Sequence, residues 1–188
     1  DVLVDTDTGD VYLGELNPRI SGASATTNVT AGAYADVPLF VFHLLEYAEV
    51  EFELDVAEVN SRWEELASED EWSTMVIKHT QPTVDLIDAA PATGRYVVDA
   101  NGSLVYSHAE LDWHLINNKD EAFFLRVYGP GDYRWKGADL GILVTKGRLQ
   151  TARNGLSIRA MHFIDSIRGM YAVTPLAQPA PKRKSSGS

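Results

Sequence analysis

The residues of this chain best placed to do chemistry stand in one short stretch, Val11-Tyr12-Leu13-Gly14-Glu15-Leu16-Asn17-Pro18-Arg19. Successive side chains of a β-strand point to opposite faces, so Glu15 and Asn17 share one face and Leu16 takes the other. A carboxylate and an amide oxygen side by side suit a hard divalent cation such as Mg²⁺, which takes oxygen ligands and commonly shares its shell with nucleotide phosphates. Arg19 adds a planar fork that can bond two oxygens of a phosphate or carboxylate at once. The plainer reading of the same residues is an edge strand with a salt-bridged Glu and a turn Asn.

The elements around the stretch must decide between these readings. Pro18 cannot donate a ladder hydrogen bond, so the strand is expected to end beside it. Upstream, the apolar residues 2–4 and the turn-rich 6–10 predict a β-hairpin. Pairing Asp5 with Val11 would set Asp1 directly across from Glu15. Asp1, Glu15 and Asn17 would then share one face, with Val2, Val4, Tyr12 and Leu16 on the other. A register shifted by one residue would mix the faces. Downstream, the polar loop 21–30 carries hydroxyls, among them Ser21, Thr26 and Thr27, and the flexible Gly22. Such a loop can cradle an anion through hydroxyls and backbone N–H groups, or simply be solvated.

The hairpin, its opening acidic residue and the motif Glu15-Leu16-Asn17-Pro18-Arg19 together resemble the metal-binding end of the ATP-grasp ligases, of the biotin carboxylase and carbamoyl-phosphate synthetase type. The loop Ile20-Ser21-Gly22-Ala23-Ser24-Ala25 is similar to the one that follows the motif there. The strong resemblance covers about residues 1–50. It implies that Asp1, Glu15 and Asn17 hold Mg²⁺ (or Mn²⁺) bridging the phosphates of ATP, and that Arg19, with Ser21 and Gly22, contacts the phosphate or the reacting acyl group. The implied activity is ATP-dependent activation of a small carboxylate, or bicarbonate, as an acyl-phosphate for attack by an amine or other nucleophile. The family has a first domain and a lid ahead of this hairpin, so the resemblance also implies an N-terminal remainder of the same enzyme as a partner. The alternative is a non-catalytic binding or assembly module that keeps part of the fold.

Composition narrows the classes. The chain has 188 residues, 45% hydrophobic and 23% charged, with 16 basic against 27 acidic residues and a net charge of −11. That balance disfavours nucleic acid and anionic membranes as partners, since both repel an acidic surface. There is no cysteine, which removes disulfides, thiolate metal sites and Cys nucleophiles. No apolar run approaches the ~20 residues of a membrane span, and a cytoplasmic location is expected. Two glycosylation sequons, at Asn28 and Asn101, read as chance matches. The sequence leaves a homo-oligomer open.

The expected fold is α+β: the C-terminal part of an ATP-grasp core (1–70), a small β-rich domain with a terminal helix (71–174) and a disordered tail (175–188). The span 38–47 predicts a helix capped by Asp36, apolar on nearly every side and therefore buried. His43 within it reads as a packed side chain rather than a ligand. A second helix over 55–67 carries the stripe Val56, Val59, Trp63, Leu66. The acidic run around Glu64, Glu65, Glu69, Asp70 and Glu71 lacks calcium-loop spacing and reads as solvated. Strands are predicted over 72–78, 94–99, 103–106, 122–128, 138–144 and 146–150, with Asn101-Gly102 as a hairpin turn and a short helix or turn over 110–116. Ser157 is the predicted N-cap of a last helix to about 171, with Ala160, Phe163, Ile164, Ile167 and Met170 as its stripe. Arg126, Arg134 and His108 read as salt-bridge and turn residues before substrate contacts. The five histidines offer no Ser-His-Asp arrangement and no general base.

Overall fold

Alternating and continuous apolar runs after residue 71 build two antiparallel sheets and a helix around one core. The computed structural model describes residues 2–15, 39–69, 71–153 and 155–177; its class is mixed α+β. The larger sheet has the order β3-β9-β7-β5-β6. Its strands are β3 (Trp72–Lys78), β5 (Gly94–Val98), β6 (Leu104–His108), β7 (Glu121–Arg126) and β9 (Asp139–Lys146). In β7 the side chains alternate between two apolar layers. Ala122 and Phe124 join Tyr96, Leu143, Phe163 and Ile167. Phe123 packs instead with Ile116 and Val144. Burial on both faces is why this strand reads as an unbroken apolar run.

A smaller sheet, β10-β4-β8, contains β4 (Val84–Ala89), β8 (Tyr133–Trp135) and β10 (Ala172–Ala177). A helix, Ile158–Gly169, starts at Ser157, whose hydroxyl accepts from the Ala160 amide at 3.1 Å. Ala160, Phe163 and Ile167 are buried along one stripe, as their spacing predicts. The β5–β6 turn closes on Asp99, whose Oδ1 accepts from the amides of Asn101 and Ser103. Gly102 takes φ +80°, a left-handed conformation that costs a glycine little.

Residues 2–15 form a hairpin of β1 (Val2–Val4) and β2 (Val11–Leu13). Two helices follow, α1 (Leu39–Tyr47) and α2 (Val56–Glu69); the helix after Ser157 is α3. Asp55 caps α2 by accepting from the Glu58 amide at 3.0 Å. None of the helices described is long and apolar enough to cross a membrane.

Four expectations are corrected. The hairpin register is Val2↔Leu13, Leu3↔Tyr12 and Val4↔Val11, one residue away from the pairing of Asp5 with Val11. The reason lies in the turn: Asp5 Oδ1 accepts from the amides of Asp7 and Thr8, and the Asp5 amide donates to the Asp10 carbonyl. Asp5 therefore faces Asp10, and Gly9 closes the turn at φ +77°. Helix α1 is not buried, with Leu44 67% and Tyr47 80% exposed; its apolar composition states what it would bury, not that a cover is present. Residues 146–150 are not a second strand. β9 runs through Lys146, Gly147 turns at φ +76°, and only Gln150 bridges, to Leu156. Finally, the predicted tail begins too early, because β10 continues through Pro175, which lies across from Asp85. A proline fits there because β10 is an edge strand and its outer side needs no donor.

Candidate functional site

Of the residues expected to form a metal and phosphate site, Glu15 lies among the described residues, two positions beyond the end of β2, with its side chain exposed. Asp1, Asn17, Arg19, Ser21 and Gly22 lie outside them. The hairpin that leads to Glu15 is bare on both faces: Val2, Val4, Val11 and Leu13 on one, Leu3 and Tyr12 on the other, each more than half exposed. No group of three or more His, Asp or Glu side chains that could share a metal ion occurs among the described residues.

The other residues singled out from the sequence take structural places. His43 is exposed on α1, its ring 5.1 Å from that of Tyr47. His108 is exposed, and its Nδ1 lies 2.9 Å from the Ser107 hydroxyl. Glu71 pairs with Arg148 at 2.9 Å at the surface. Arg134 is no surface residue; it belongs to a buried polar network that sequence reading missed.

That network joins His79, Thr83, Asp85 and Arg134. β4 turns Asp85 inward in phase with Ile87, and both are about 2% exposed or less. Arg134 Nε donates to Asp85 Oδ2 at 2.9 Å and the Thr83 hydroxyl donates to the same oxygen at 3.0 Å. The Thr83 oxygen lies 3.0 Å from His79 Nε2. Since that hydroxyl spends its proton on Asp85, it accepts from His79, whose Nε2 therefore carries a proton. Burial, and then the positive charge of Arg134, lower the His79 pKa against the opposing pull of Asp85. Burial pushes the Asp85 carboxyl up, but the hydrogen bonds and charge of Arg134, with Thr83, more than offset it and its pKa falls. His79 is 5% exposed, and the group is largely buried. It ties β4, β8 and the end of β3 together. The signal in the sequence was an Asp at period two with a buried Ile, in a strand that was not predicted.

Ser, His and Asp do meet in one place. A cavity of about 350 Å³ is lined by His162, Asp165 and Ser166 of α3 together with Asn101, Ser103 and Leu104. The Ser166 hydroxyl, however, donates to the His162 carbonyl at 2.7 Å and accepts from the Leu104 amide at 3.0 Å. It is committed to the backbone on both sides and is not activated by the imidazole, as a nucleophile would have to be. Glu121 is likewise spent on structure. It accepts from Arg95, the Asn117 amide and the Asn118 side chain, fixing the loop that carries Trp113 and Ile116 over the sheet.

No family model, no curated protein and no solved structure matches this chain.

Proposed function

We propose that residues 1–50 are the metal- and phosphate-binding end of an ATP-grasp ligase that activates a carboxylate or bicarbonate. The observation that carries this reading is the run Glu15-Leu16-Asn17-Pro18-Arg19 leaving a β-hairpin. The bare apolar side chains on both faces of that hairpin support it. An isolated two-stranded hairpin is marginal in water, and a hairpin apolar on both sides belongs inside a larger layered domain. The resemblance supplies such a domain as the N-terminal remainder of the enzyme.

In this reading Asp1, Glu15 and Asn17 present oxygen ligands to Mg²⁺, and Arg19, Ser21 and the Gly22 amide hold phosphate oxygens. Mg²⁺, when bound, neutralises charge on the phosphates. Arg19 stabilises the oxyanion of the acyl-phosphate by a charge-assisted double hydrogen bond. Of the three proposed metal ligands, Glu15 alone lies among the described residues, and it is exposed. Catalysis of this kind is positioning and electrostatics with little covalent help from the protein.

A second reading, a binding or assembly module without a working site, is favoured by the hairpin register, one residue off the pairing that would set Asp1 across from Glu15. Titration calorimetry separates the two, on the protein carrying the remainder of the enzyme. The ligase reading expects Mg²⁺-dependent ATP binding, lost in both Glu15→Ala and Asn17→Ala. Absence of nucleotide binding by that protein would leave the module reading.

A further inference from the structure

The outer face of the smaller sheet is apolar and bare. Asp85 and Ile87 of β4 and Arg134 of β8 turn inward. Successive side chains alternate along a strand, so Val84, Leu86, Tyr133 and Trp135 turn outward. The ladder sets Val84 beside Trp135 and Leu86 beside Tyr133. Val84 is 42%, Trp135 46% and Tyr133 52% exposed, and Leu86 is partly exposed. Trp135 meets Tyr128 edge-on, with ring centres 5.5 Å apart, and keeps the rest of its surface open. Two large aromatic side chains grouped with aliphatic ones, rather than scattered singly, mark a contact surface.

β10 delivers a segment to this face. It is the strand beside β4, and its last residue, Ala177, lies across from Val84. The chain then reads Gln178-Pro179-Ala180-Pro181-Lys182-Arg183-Lys184, outside the described residues. Closely spaced prolines favour the extended left-handed helix that advances about 3.1 Å per residue. Trp135 stands two strands from Ala177, about 10 Å away. Pro179 to Pro181, about 6–12 Å along the segment, come level with its indole. Three residues back along β8 from Trp135, about 10 Å further on, stands Asp132, and Asp88 lies at the same end of β4. Lys182 to Lys184, about 16–22 Å along the segment, reach that end. Both carboxylates are exposed. Asp132 accepts from the Gly129 amide and Asp88 from the Thr174 hydroxyl, and neither is ion-paired among the described residues. Prolines and then cations along the segment thus match aromatics and then carboxylates along the face.

We propose that residues 178–184 dock on the outer face of the smaller sheet of their own chain. Pro179 and Pro181 lie against Trp135, and Lys182, Arg183 and Lys184 sit beside Tyr133, Asp132 and Asp88. Proline-rich segments suit aromatic surfaces because their backbone is already extended and little entropy is lost on docking. Three cations are drawn to a chain whose net charge is −11, and the Tyr133 ring offers them a cation–π contact. Tethering through β10 makes the association intramolecular, so contacts too weak to hold a free peptide suffice.

The test exploits the absence of cysteine, because Ser185→Cys gives the full chain a single site for a nitroxide label. The readout is paramagnetic broadening of the Trp135 indole N–H resonance, assigned by its loss in Trp135→Phe. Strong broadening is expected at Trp135 and little at Trp72. Trp72 opens β3, whereas Trp135 lies beyond the other end, where Gly137 donates to the His79 carbonyl, about 20 Å away along the strand. Pro179→Gly with Pro181→Gly, and separately Lys182→Glu with Lys184→Glu, should each remove most of the broadening. Both pairs of changes lie outside the packed sheets, so the remaining resonances should stay in place. Deleting residues 178–188 should shift the Trp135 indole resonance. Labelled chain mixed with unlabelled, ¹⁵N-enriched chain should show no broadening. Broadening at Trp135 no greater than at Trp72, indifference to either pair of changes, an unmoved indole resonance on deletion, or broadening carried from one copy to another would each overturn the assignment.

Discussion

Asp85 and Arg134 stand directly opposite each other in the β4–β8 ladder, and the guanidinium Nε donates to the carboxylate at 2.9 Å with both side chains largely buried. Breaking a buried pair by removing one partner strands the other charge, at a cost of about 3–5 kcal/mol, while replacing both with apolar groups costs far less. Arg134→Leu is therefore expected to destabilise the fold by about 3–5 kcal/mol in urea unfolding. The double variant Asp85→Leu/Arg134→Leu should recover a large part of that loss. Equal losses in the single and double variants would show that the pair is not coupled.

The neighbouring His79 sets a pH dependence. Its folded-state pKa lies below the ordinary 6.5 because it is buried beside Arg134. The unfolded chain therefore binds a proton there that the folded chain refuses. Stability from this group is full above about pH 6.5 and is lost as pH falls below that value toward the depressed folded pKa. Asp85 is lowered too; its contribution is present above its unfolded value of 3.8 and disappears as pH falls through the folded pKa. Urea midpoints are expected to be level from pH 8 to 7 and to decline from pH 6.5 to 5. His79→Gln, whose amide can still donate to Thr83, should flatten that first decline and leave the deeper acid limb in place.

The parts of this structure that showed in the sequence are those where local chemistry and burial agree. Ser157 followed by Ala160, Phe163 and Ile167 carries both a cap and a period, and Ala122 to Phe124 carries a strand buried on both faces. β4 escaped because Asp85 and Asp88 break its apolar run, and the ion partner that makes an inward Asp tolerable lies 49 residues away. The hairpin itself was legible and its register was not. One side-chain turn at Asp5 moves the pairing by a residue, and the energy of that turn is not visible in an alternation pattern. The proposed ligand set was read from a motif, and a motif fixes residue types without fixing which strand positions face one another.

Gly141 is required by packing rather than by backbone freedom. A Cβ there would collide with the Phe124 ring and come within 2.6 Å of the Leu125 carbonyl oxygen. Away from contacts, Gly→Ala in a strand gains stability through the unfolded chain. Here overpacking against a fully buried ring and backbone is expected to win, by about 1–3 kcal/mol. Gly141→Ala should lower the thermal midpoint, and Gly141→Ala combined with Phe124→Leu should lose less than the two single changes added together.

The cap of α3 offers a smaller, cleaner measurement. Ser157 accepts from the Ala160 amide, and its own amide donates to Leu149. Ser157→Ala removes the first bond and keeps the second, so a loss of about 1 kcal/mol is expected. Ser157→Asp, which restores an acceptor and places a negative charge at the positive end of the helix, should match or exceed the original in urea unfolding.

Substitution at Leu13 tests what covers the N-terminal hairpin. Leu13 is 75% exposed whereas Phe124 is fully buried. Truncating a buried aromatic costs about 3–5 kcal/mol, and an exposed residue away from special features costs within about 0.5 kcal/mol either way. In this chain alone, Phe124→Ala should be severely destabilising and Leu13→Ala nearly silent. If further polypeptide of an ATP-grasp domain lies over the hairpin, Leu13 becomes a core residue, and the same Leu13→Ala should cost about 2–5 kcal/mol in the larger protein. The contrast between the two backgrounds measures that cover directly, without a ligand or an assay of activity. A Leu13→Ala change that stays silent in both would mean that the apolar hairpin is not enclosed, and the layered domain required by the ligase reading would lose its support.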